Sequence, residues 1–336
     1  MKIAMLAPIA WRTPPRQYGP WEQVASVLTE GLIKQGVEVT LFATADSITA
    51  GTLRYSAPRG YAEDRSLDPK VEECLHISEV MEAAREFDLI HNHFDFLPLT
   101  YSRLVDTPMV TTIHGFSSPK IIPVYKKYNR TSGYVSISDA DRSPELEYLA
   151  TVYNGIDTSL FPFVGQPDDY LLYFGRIHPD KGAHLAIQVA RAAGRQLIIA
   201  GLVQDEDYFQ REVLPHVDDD QIRYVGNVGP DERCRLLGNA AVLLHLIAFD
   251  EPFGLSVAEA MLCGTPVIAI SRGAMPELIA ANETGFLVRD AREAVDALQQ
   301  LPTLSREACH QWANDRFSQE QMVAGYLRVY ERLLRR

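Results

Sequence analysis

Residues 251–261 read Glu251-Pro252-Phe253-Gly254-Leu255-Ser256-Val257-Ala258-Glu259-Ala260-Met261. An apolar run at residues 240–249 precedes this stretch and is long enough for a buried strand. Gly264 and Pro266 follow it and stop a helix before the next apolar run begins. The pattern therefore predicts that Glu251 lies in a loop after a strand, and that Glu259 lies along the helix that follows.

The two carboxylates of this stretch are candidate ligand-binding groups. A single glutamate in the first turn of a helix more often lies at the surface, where it complements the helix dipole. Here the pair flanks a glycine that lets a ligand approach the backbone, and such a pair suits a bound polyhydroxy group. The N-terminus of the helix adds backbone N–H groups that attract anions, and these belong to Phe253, Gly254 and Leu255.

The composition excludes several classes of protein. A chain of 336 residues is long for one core, so two domains are expected. The net charge of −12 argues against a nucleic-acid partner. The 4 cysteines have no C-x-x-C spacing, which favours reduced thiols in a cytoplasmic protein over disulfides or a zinc site. No run reaches the roughly 18 apolar residues that a membrane helix needs.

Short apolar runs alternate with helix-length stretches along the whole chain, which predicts an α/β protein with parallel sheets covered by helices. Strands are expected at residues 2–7, 37–44, 89–93, 109–114, 134–138, 170–175, 196–200, 222–225, 241–246, 267–270 and 286–288. Helices are expected at residues 21–34, 78–87, 183–193, 231–239, 256–262 and 319–335. Residues 45–68 lack a clear period and are expected to leave the sheet.

A linker-like segment near residues 162–169 divides these elements into two sets. We expect a first doubly wound domain at residues 1–164, a second at 165–318, and a C-terminal helix within 319–336 that crosses back to the first. Two such domains facing one another would form a cleft at the carboxyl ends of their strands, where these sheets bind ligands.

Two loops carry further candidate groups. Gly19 precedes Pro20 at the start of a helix, so a diphosphate could approach the backbone there. An ordinary loop-to-helix junction would have the same sequence pattern. Arg176 and Lys181 emerge from the loop after a strand. Loop cations normally face solvent, but two fixed cations also suit the two phosphates of a nucleotide sugar.

The histidines do not predict a metal site. His114 ends a strand, and a lone histidine there is more often structural than functional. His91 and His93 share a strand face, but no third ligand is evident, so an acceptor-side role is preferred. The string Asp139-Ala140-Asp141 is short, and its residue types are typical of a turn. No G-x-G-x-x-G follows either domain's first strand, which removes the main support for an NAD enzyme.

Three motifs resemble those of retaining family 4 glycosyltransferases. Residues 251–261 are similar to the E-x7-E signature, and the Glu-Ala-Met-x-x-Gly-Thr-Pro close extends the match. The pattern from Gly175 to Gly182 resembles the family's diphosphate site, and His114 lies in a matching Thr-x-His-Gly context. The family's glycine-rich loop often has two adjacent glycines, whereas here Pro20 replaces the second and only Gly19 carries over.

The resemblance implies the GT-B architecture, with two Rossmann-like domains, and a role for each candidate residue. Glu259 would bind the ribose, whereas Arg176, Lys181 and the backbone of Gly19 would hold the diphosphate. The donor sugar would be held by Glu251, His114 and the backbone of Phe253, Gly254 and Leu255.

The expected activity is retaining transfer of a hexose from a nucleotide sugar of the UDP-glucose or GDP-mannose type, without a metal or cofactor. The opening residues resemble a subgroup that includes pterin glucosyltransferases and many bacterial relatives. The alternatives are a sugar-nucleotide epimerase, a phosphorylase, and a non-catalytic nucleotide-sugar-binding protein of the same fold. The sequence leaves the base, the sugar, the acceptor and the oligomeric state open.

The acceptor is expected to be a soluble small molecule or oligosaccharide. A basic cluster at residues 119–130 leaves a membrane-bound acceptor as the alternative. The overall negative charge and Pro123, which interrupts any long helix there, argue against the membrane.

Overall fold

The computed structural model describes residues 1–116 and 118–335, so Arg336 of the expected C-terminal segment lies outside the described residues. The chain divides into two compact units, Met1–Gly155 with the segment from Gln319 onward, and Ile156–Ser318. The division lies before the expected boundary at residue 164. The reason is that residues 156–164 are tied to the second unit: the Ile156 N–H donates to the Phe317 carbonyl (2.8 Å) and the Val164 N–H to the Cys263 carbonyl (3.0 Å).

The first unit contains a parallel sheet with strand order β3-β2-β1-β4-β5-β6-β7. Its strands are β1 (Lys2–Leu6), β2 (Glu38–Ala43), β3 (Thr52–Tyr55), β4 (Leu89–Asn92), β5 (Met109–Ile113), β6 (Ser132–Ser136) and β7 (Ala150–Thr151). The inner strands are almost wholly buried, as expected of a parallel sheet covered on both faces. Strand β3 corrects the expectation that residues 45–68 leave the sheet, because it is a half-exposed edge strand with no apolar run.

The α-helices described before the division are α1 (Pro20–Lys34), α2 (Pro69–Glu82) and α3 (Ile122–Tyr128). Helix α2 begins well before the expected residue 78. Its start is set by Asp68, whose side chain accepts a hydrogen bond from the Lys70 N–H (2.9 Å), and by Pro69 at the first helical position.

The second unit contains a parallel sheet with strand order β10-β9-β8-β11-β12-β13. Its strands are β8 (Leu171–Phe174), β9 (Leu197–Ala200), β10 (Ile222–Tyr224), β11 (Val242–His245), β12 (Val267–Ile270) and β13 (Gly285–Val288). Its helices are α4 (Ala183–Ala193), α5 (Glu206–Tyr208), α6 (Pro230–Asn239), α7 (Leu255–Leu262), α8 (Met275–Leu278), α9 (Ala291–Leu298) and α10 (Arg306–Phe317).

The last helix, α11 (Gln319–Leu334), belongs to the first unit and packs on α1. A Cβ atom on Gly31 would lie 2.5 Å from Val323 Cγ2, so the glycine permits the close approach of the two helices. Gln319 fixes the start of α11, because its side chain donates to the Val27 carbonyl (2.7 Å) and accepts from Lys34 Nζ (2.8 Å). Within the described residues, no helix has both the length and the apolar character needed to cross a bilayer.

Candidate functional site

Lys181 and Glu251 form an ion pair at the carboxyl edge of the second unit's sheet. Lys181 precedes α4, and Glu251 lies in the loop between β11 and α7, as the sequence predicted. The two loops can approach because Gly182 has a φ of +73° and packs on the backbone: a Cβ there would lie 2.0 Å from the Leu246 carbonyl oxygen. Both charged side chains are mostly buried, with 14% and 13% of their surfaces exposed.

The carboxylate of Glu251 is ionised at neutral pH. Burial alone would raise the pKa of Glu251, but the neighbouring His245 imidazole and the charge of Lys181 together lower it to about 2. His245 Nε2 lies 3.5 Å from Glu251 Oε2, and burial lowers the pKa of the imidazole, so His245 is neutral. Glu251 can therefore accept hydrogen bonds from hydroxyl groups but has little tendency to take up a proton.

Helix α7 begins at Leu255, four residues beyond Glu251 in the chain. Gly254 is the N-cap with a φ of +101° and has no side chain with which to cap the helix. The ring of Phe253 is buried edge-on against Phe317, with 5.7 Å between ring centroids, so it anchors the turn. This local structure agrees with the expectation that Phe253, Gly254 and Leu255 present backbone at a helix N-terminus.

Glu259 has a partner that the sequence analysis missed. It lies in α7 and is only 4% exposed, and its Oε1 is 3.5 Å from Nη1 of Arg233 on α6. Burial raises the pKa of Glu259, and the charge of Arg233 opposes that shift. The guanidinium of Arg233 also lies over the ring of Phe161, 5.4 Å from its centroid. No spacing in the sequence connects Arg233 with Glu259, because only the packing of two helices brings them together.

Arg176 follows β8 at the same carboxyl edge as Lys181. Its guanidinium donates to Gln204 Oε1, and its carbonyl accepts from the Tyr173 hydroxyl (2.7 Å). The preceding Gly175 packs directly on Gly201, where a Cβ would lie 1.8 Å from the Gly175 carbonyl oxygen. The loop after β8 is therefore held in place, while the Arg176 side chain remains half-exposed.

In the first unit, the Gly19 loop and His114 lie close together. Gly19 is the N-cap of α1 with a φ of +151°, and a Cβ there would lie 2.8 Å from Pro15 Cβ. Two residues on, Trp21 stacks on the imidazole of His114, with ring centroids 5.5 Å apart and an interplanar angle of 21°. The structure thus brings two predicted site segments together through Trp21, a contact that the sequence did not reveal.

Glu22 is a buried carboxylic acid in the first turn of α1. It is 3% exposed, and its Oε1 accepts a hydrogen bond from the Trp11 N–H (3.2 Å). Burial raises the pKa of Glu22 to about 7, against the opposing effect of backbone hydrogen bonds. The sequence analysis assigned no role to this residue.

The preferred acceptor-side role of His91 and His93 requires correction. Both imidazoles are fully buried, so neither can contact an acceptor directly. Just beyond them lies Asp95, whose φ of +67° is uncommon for a residue with a side chain. Burial raises the pKa of Asp95 to about 6, although the Tyr125 hydroxyl donates a hydrogen bond to its carboxylate. Asp95 is therefore a better acceptor-side candidate at this strand end.

No group of three or more His, Cys, Asp or Glu side chains within residues 1–116 and 118–335 is arranged to hold a metal ion. The Asp139-Ala140-Asp141 string lies after β6, where Asp139 accepts a hydrogen bond from the Thr151 hydroxyl and the Asp141 N–H donates to Ser138 Oγ (3.1 Å). The Asp141–Ser138 contact is local and of the kind that stabilises a turn, and the Asp139–Thr151 contact joins this turn to β7.

Two family models match consecutive parts of the chain. The model described as Glycosyltransferase Family 4 matches residues 22–160, and the model described as Glycosyl transferases group 1 matches residues 162–316. The chain belongs to glycosyltransferase family 4. Among curated proteins, the chain is similar to a glycogen synthase of Mycobacterium tuberculosis, with 28% identity over 232 residues, covering 59% of this chain and 55% of the relative. It therefore spans about half the length of the glycogen synthases that it matches.

A second relative matches over more of its length. The D-inositol 3-phosphate glycosyltransferase of an Arthrobacter species is 26% identical over 338 residues, covering 82% of this chain and 79% of the relative. Among solved structures, AviGT4, a glycosyltransferase of avilamycin A biosynthesis, has a TM-score of 0.75 at 23% identity, with 99% and 98% of the two chains covered. Anabaena Alr3699/HepE with UDP and glucose has a TM-score of 0.75 at 19% identity, with 99% and 100% covered. These structures confirm the GT-B fold class.

Proposed function

We propose that this chain transfers a hexose from a nucleotide sugar to a hydroxyl group of a small-molecule or oligosaccharide acceptor, with retention of the anomeric configuration and without a metal ion. The observation that carries the proposal is the Lys181–Glu251 ion pair beside the uncapped start of α7. In this pair the cation of Lys181 suits phosphate oxygens, and the neighbouring ionised carboxylate of Glu251 suits sugar hydroxyls. Both lie at the carboxyl edge of a doubly wound sheet, where such sheets bind ligands.

The cations act on the leaving group. A nucleoside diphosphate gains negative charge as the glycosidic bond breaks, so charge fixed in advance by Arg176 and Lys181 stabilises the transition state more than the ground state. Glu259, held by Arg233, is assigned to the ribose hydroxyls. Gly19 keeps its predicted role as a backbone contact for the diphosphate.

Glu251 anchors the donor sugar and does not act as a general base. A carboxylate with a pKa of about 2 is a poor proton acceptor at neutral pH. The proton of the acceptor hydroxyl is then taken by the departing phosphate in a front-face displacement. Retention follows from attack on the face that the leaving group occupies.

The donor is proposed to be of the UDP-glucose or GDP-mannose type, and the protein is proposed to act in the cytoplasm. The UDP and glucose present in the HepE crystals support the first alternative. The basic cluster on α3 is partly neutralised, because Lys126 forms an exposed ion pair with Glu145 (3.0 Å). This pairing supports an acceptor that is not a membrane lipid.

A two-stage experiment tests the proposal. Thermal shift with UDP, GDP and ADP identifies the nucleotide, because a ligand at about 100 times its Kd adds about 2.7 kcal/mol to stability. The matching sugar nucleotide is then incubated with an acceptor panel. Acceptor-dependent release of nucleoside diphosphate, with an α-linked product from an α-linked donor, supports the proposal.

The other outcomes decide against it. Conversion of the donor into an isomeric sugar nucleotide would show that the protein is an epimerase. Binding without any turnover would show that it is a non-catalytic nucleotide-sugar-binding protein. The variant Lys181→Met should lose the thermal shift. The control variant Lys2→Met alters an exposed lysine of the other unit and should keep it.

A further inference from the structure

Three histidines form a buried row in the first unit. His91 lies on β4, His93 directly follows that strand, and His114 directly follows the neighbouring β5. The ring centroids of His91 and His93 are 4.1 Å apart, and those of His93 and His114 are 5.1 Å apart. The sequence gave His114 a role by resemblance, and the acceptor-side role that it suggested for His91 and His93 does not fit their burial.

His91 is held at both ring nitrogens by hydroxyl groups. Its Nδ1 lies 2.7 Å from the Tyr330 hydroxyl of α11, and its Nε2 lies 2.7 Å from Oγ1 of Thr112. The same Thr112 oxygen lies 2.6 Å from the Tyr326 hydroxyl. Because hydroxyl groups both donate and accept, these contacts fix the position of His91 without fixing its tautomer.

His93 and His114 share one hydrogen bond, between His93 Nδ1 and His114 Nε2 (2.8 Å). Among the described residues, the other nitrogen of His93, Nε2, is buried and has no hydrogen-bond partner. Two arrangements of protons fit this geometry. Either His93 donates from Nδ1 and leaves a bare lone pair at its Nε2, or His114 donates from Nε2 and leaves a buried, unpaired N–H at His93 Nε2.

The first arrangement is favoured, because orphaned buried N–H groups are rarer than unpaired acceptors. The same unit contains a precedent. His76 Nε2 lies 2.8 Å from the Ala7 carbonyl oxygen, which only accepts, so the proton of His76 is on Nε2. Its Nδ1 is then a bare lone pair, buried and without a partner among the described residues.

We propose that His93 is a positioning residue that donates from Nδ1 to His114 Nε2 and thereby holds His114 in the Nδ1–H tautomer. His114 then offers an N–H to an oxygen of the ligand and cannot act as a base, since Nε2 is already engaged. Trp21 supports this role by covering one face of the ring. Burial lowers the pKa of His114 to about 3, so the ring stays neutral. Only the identity of the ligand, a hexose hydroxyl, rests on the proposed function.

Nitrogen-15 NMR of the full chain, labelled at histidine and free of ligand near pH 7, tests the proposal. The two tautomers of neutral imidazole have distinct nitrogen shifts and proton couplings, and single histidine variants assign the signals. We expect Nδ1–H at His93 and His114, and Nε2–H at His76. A His114 signal with the proton on Nε2 would overturn the proposal.

Variants of His93 separate positioning from folding. The amide nitrogen of Asn can replace the Nδ1 donor, so His93→Asn should keep His114 in the Nδ1–H form. His93→Phe removes the donor, and His114 should revert to the Nε2–H form that imidazole prefers in water. If His114 stays Nδ1–H in folded His93→Phe, His93 does not set its tautomer.

A control acts at the other end of the row. Tyr330→Phe removes a hydroxyl from His91 and leaves the His93–His114 contact in place, so the tautomer of His114 should not change. None of these measurements requires turnover. If the expected tautomers are observed but the protein transfers no sugar, only the proposed function is refuted. Sugar transfer by a protein with His114 in the Nε2–H form would refute the positioning role alone.

Discussion

Lys181 and Glu251 are separated by 70 residues in the chain and meet as a mostly buried ion pair. Each charge compensates the burial of the other, which neither could sustain alone. The pair also means that, before a ligand arrives, the positive charge assigned to the diphosphate is already matched by the carboxylate assigned to the sugar. Ligand oxygens and hydroxyls therefore add to an arrangement that the fold has fixed in advance.

The stability of the fold should depend on this pair. Lys181→Met leaves Glu251 buried without its cation, and we expect a loss of about 3 kcal/mol in the free energy of unfolding at pH 7. Lys2→Met removes an exposed ion pair and should cost less than about 1 kcal/mol. Urea denaturation measures both values. Equal losses of unfolding free energy in the two variants would show that the buried ion pair stabilises the fold no more than the exposed one.

The two glutamates should separate binding from turnover. Glu259→Ala removes the proposed ribose contact, so the Kd for free nucleoside diphosphate should rise about tenfold. Glu251→Gln keeps the shape but loses the charge, so kcat should fall while nucleotide binding changes little. Calorimetric titration and initial-rate kinetics measure these effects. Near-normal turnover of Glu251→Gln with the true donor would refute its assignment, and Glu283→Gln serves as an exposed control in the same unit.

Glu22 should make stability depend on pH near neutrality. Its folded pKa of about 7 lies above the ordinary 4.5, so the unfolded chain loses the proton first as pH rises. The contribution of Glu22 to the free energy of unfolding is complete below pH 4.5 and declines between pH 4.5 and 7. The total decline is about 3 kcal/mol, and above pH 7 the contribution no longer changes. Glu22→Gln has no such group, so its stability relative to wild type should increase from pH 5 to pH 8. Urea denaturation at several pH values measures this difference, and parallel pH profiles would contradict the prediction.

Activity should survive chelation. Arg176 and Lys181 supply the positive charge that a divalent ion supplies in metal-dependent transfer, so EDTA should leave the initial rate unchanged. The assay compares EDTA-treated protein with samples to which magnesium or manganese is restored. A rate that vanishes with EDTA and returns with either ion would show that the two cations do not suffice.

The sequence predicted the bounds of strands and helices best where apolar runs and helix-stop residues indicate the same boundary. The buried strand β12 matches its expected bounds of residues 267–270, and α7 was expected within one residue of its observed start. Apolar side chains mark these elements because both faces of a parallel sheet are covered. The same rule fails at β3, an edge strand whose residues are half-exposed and carry no apolar run.

The candidate site was predictable only in part. Glu251, Lys181 and Glu259 could be selected as candidates because their motifs are continuous in the chain, and their roles stay predictions. The contacts between Arg233 and Glu259, and between Trp21 and His114, could not be predicted, because each depends on how separate elements pack. The burial of His91 was missed for the same reason: the Tyr330 hydroxyl that contacts its ring comes from α11, far along the chain.

From the placement of α11 we expect the order of folding during synthesis to differ from the usual one, in which the N-terminal domain folds first. The second unit is one continuous stretch, so all of its residues are available once Ser318 has emerged. The first unit, although synthesised first, lacks the tyrosines that hold His91 and Thr112 until the last helix is free. We therefore expect nascent chains stalled before Gln319 to show a protease-resistant second unit and a protease-sensitive first one.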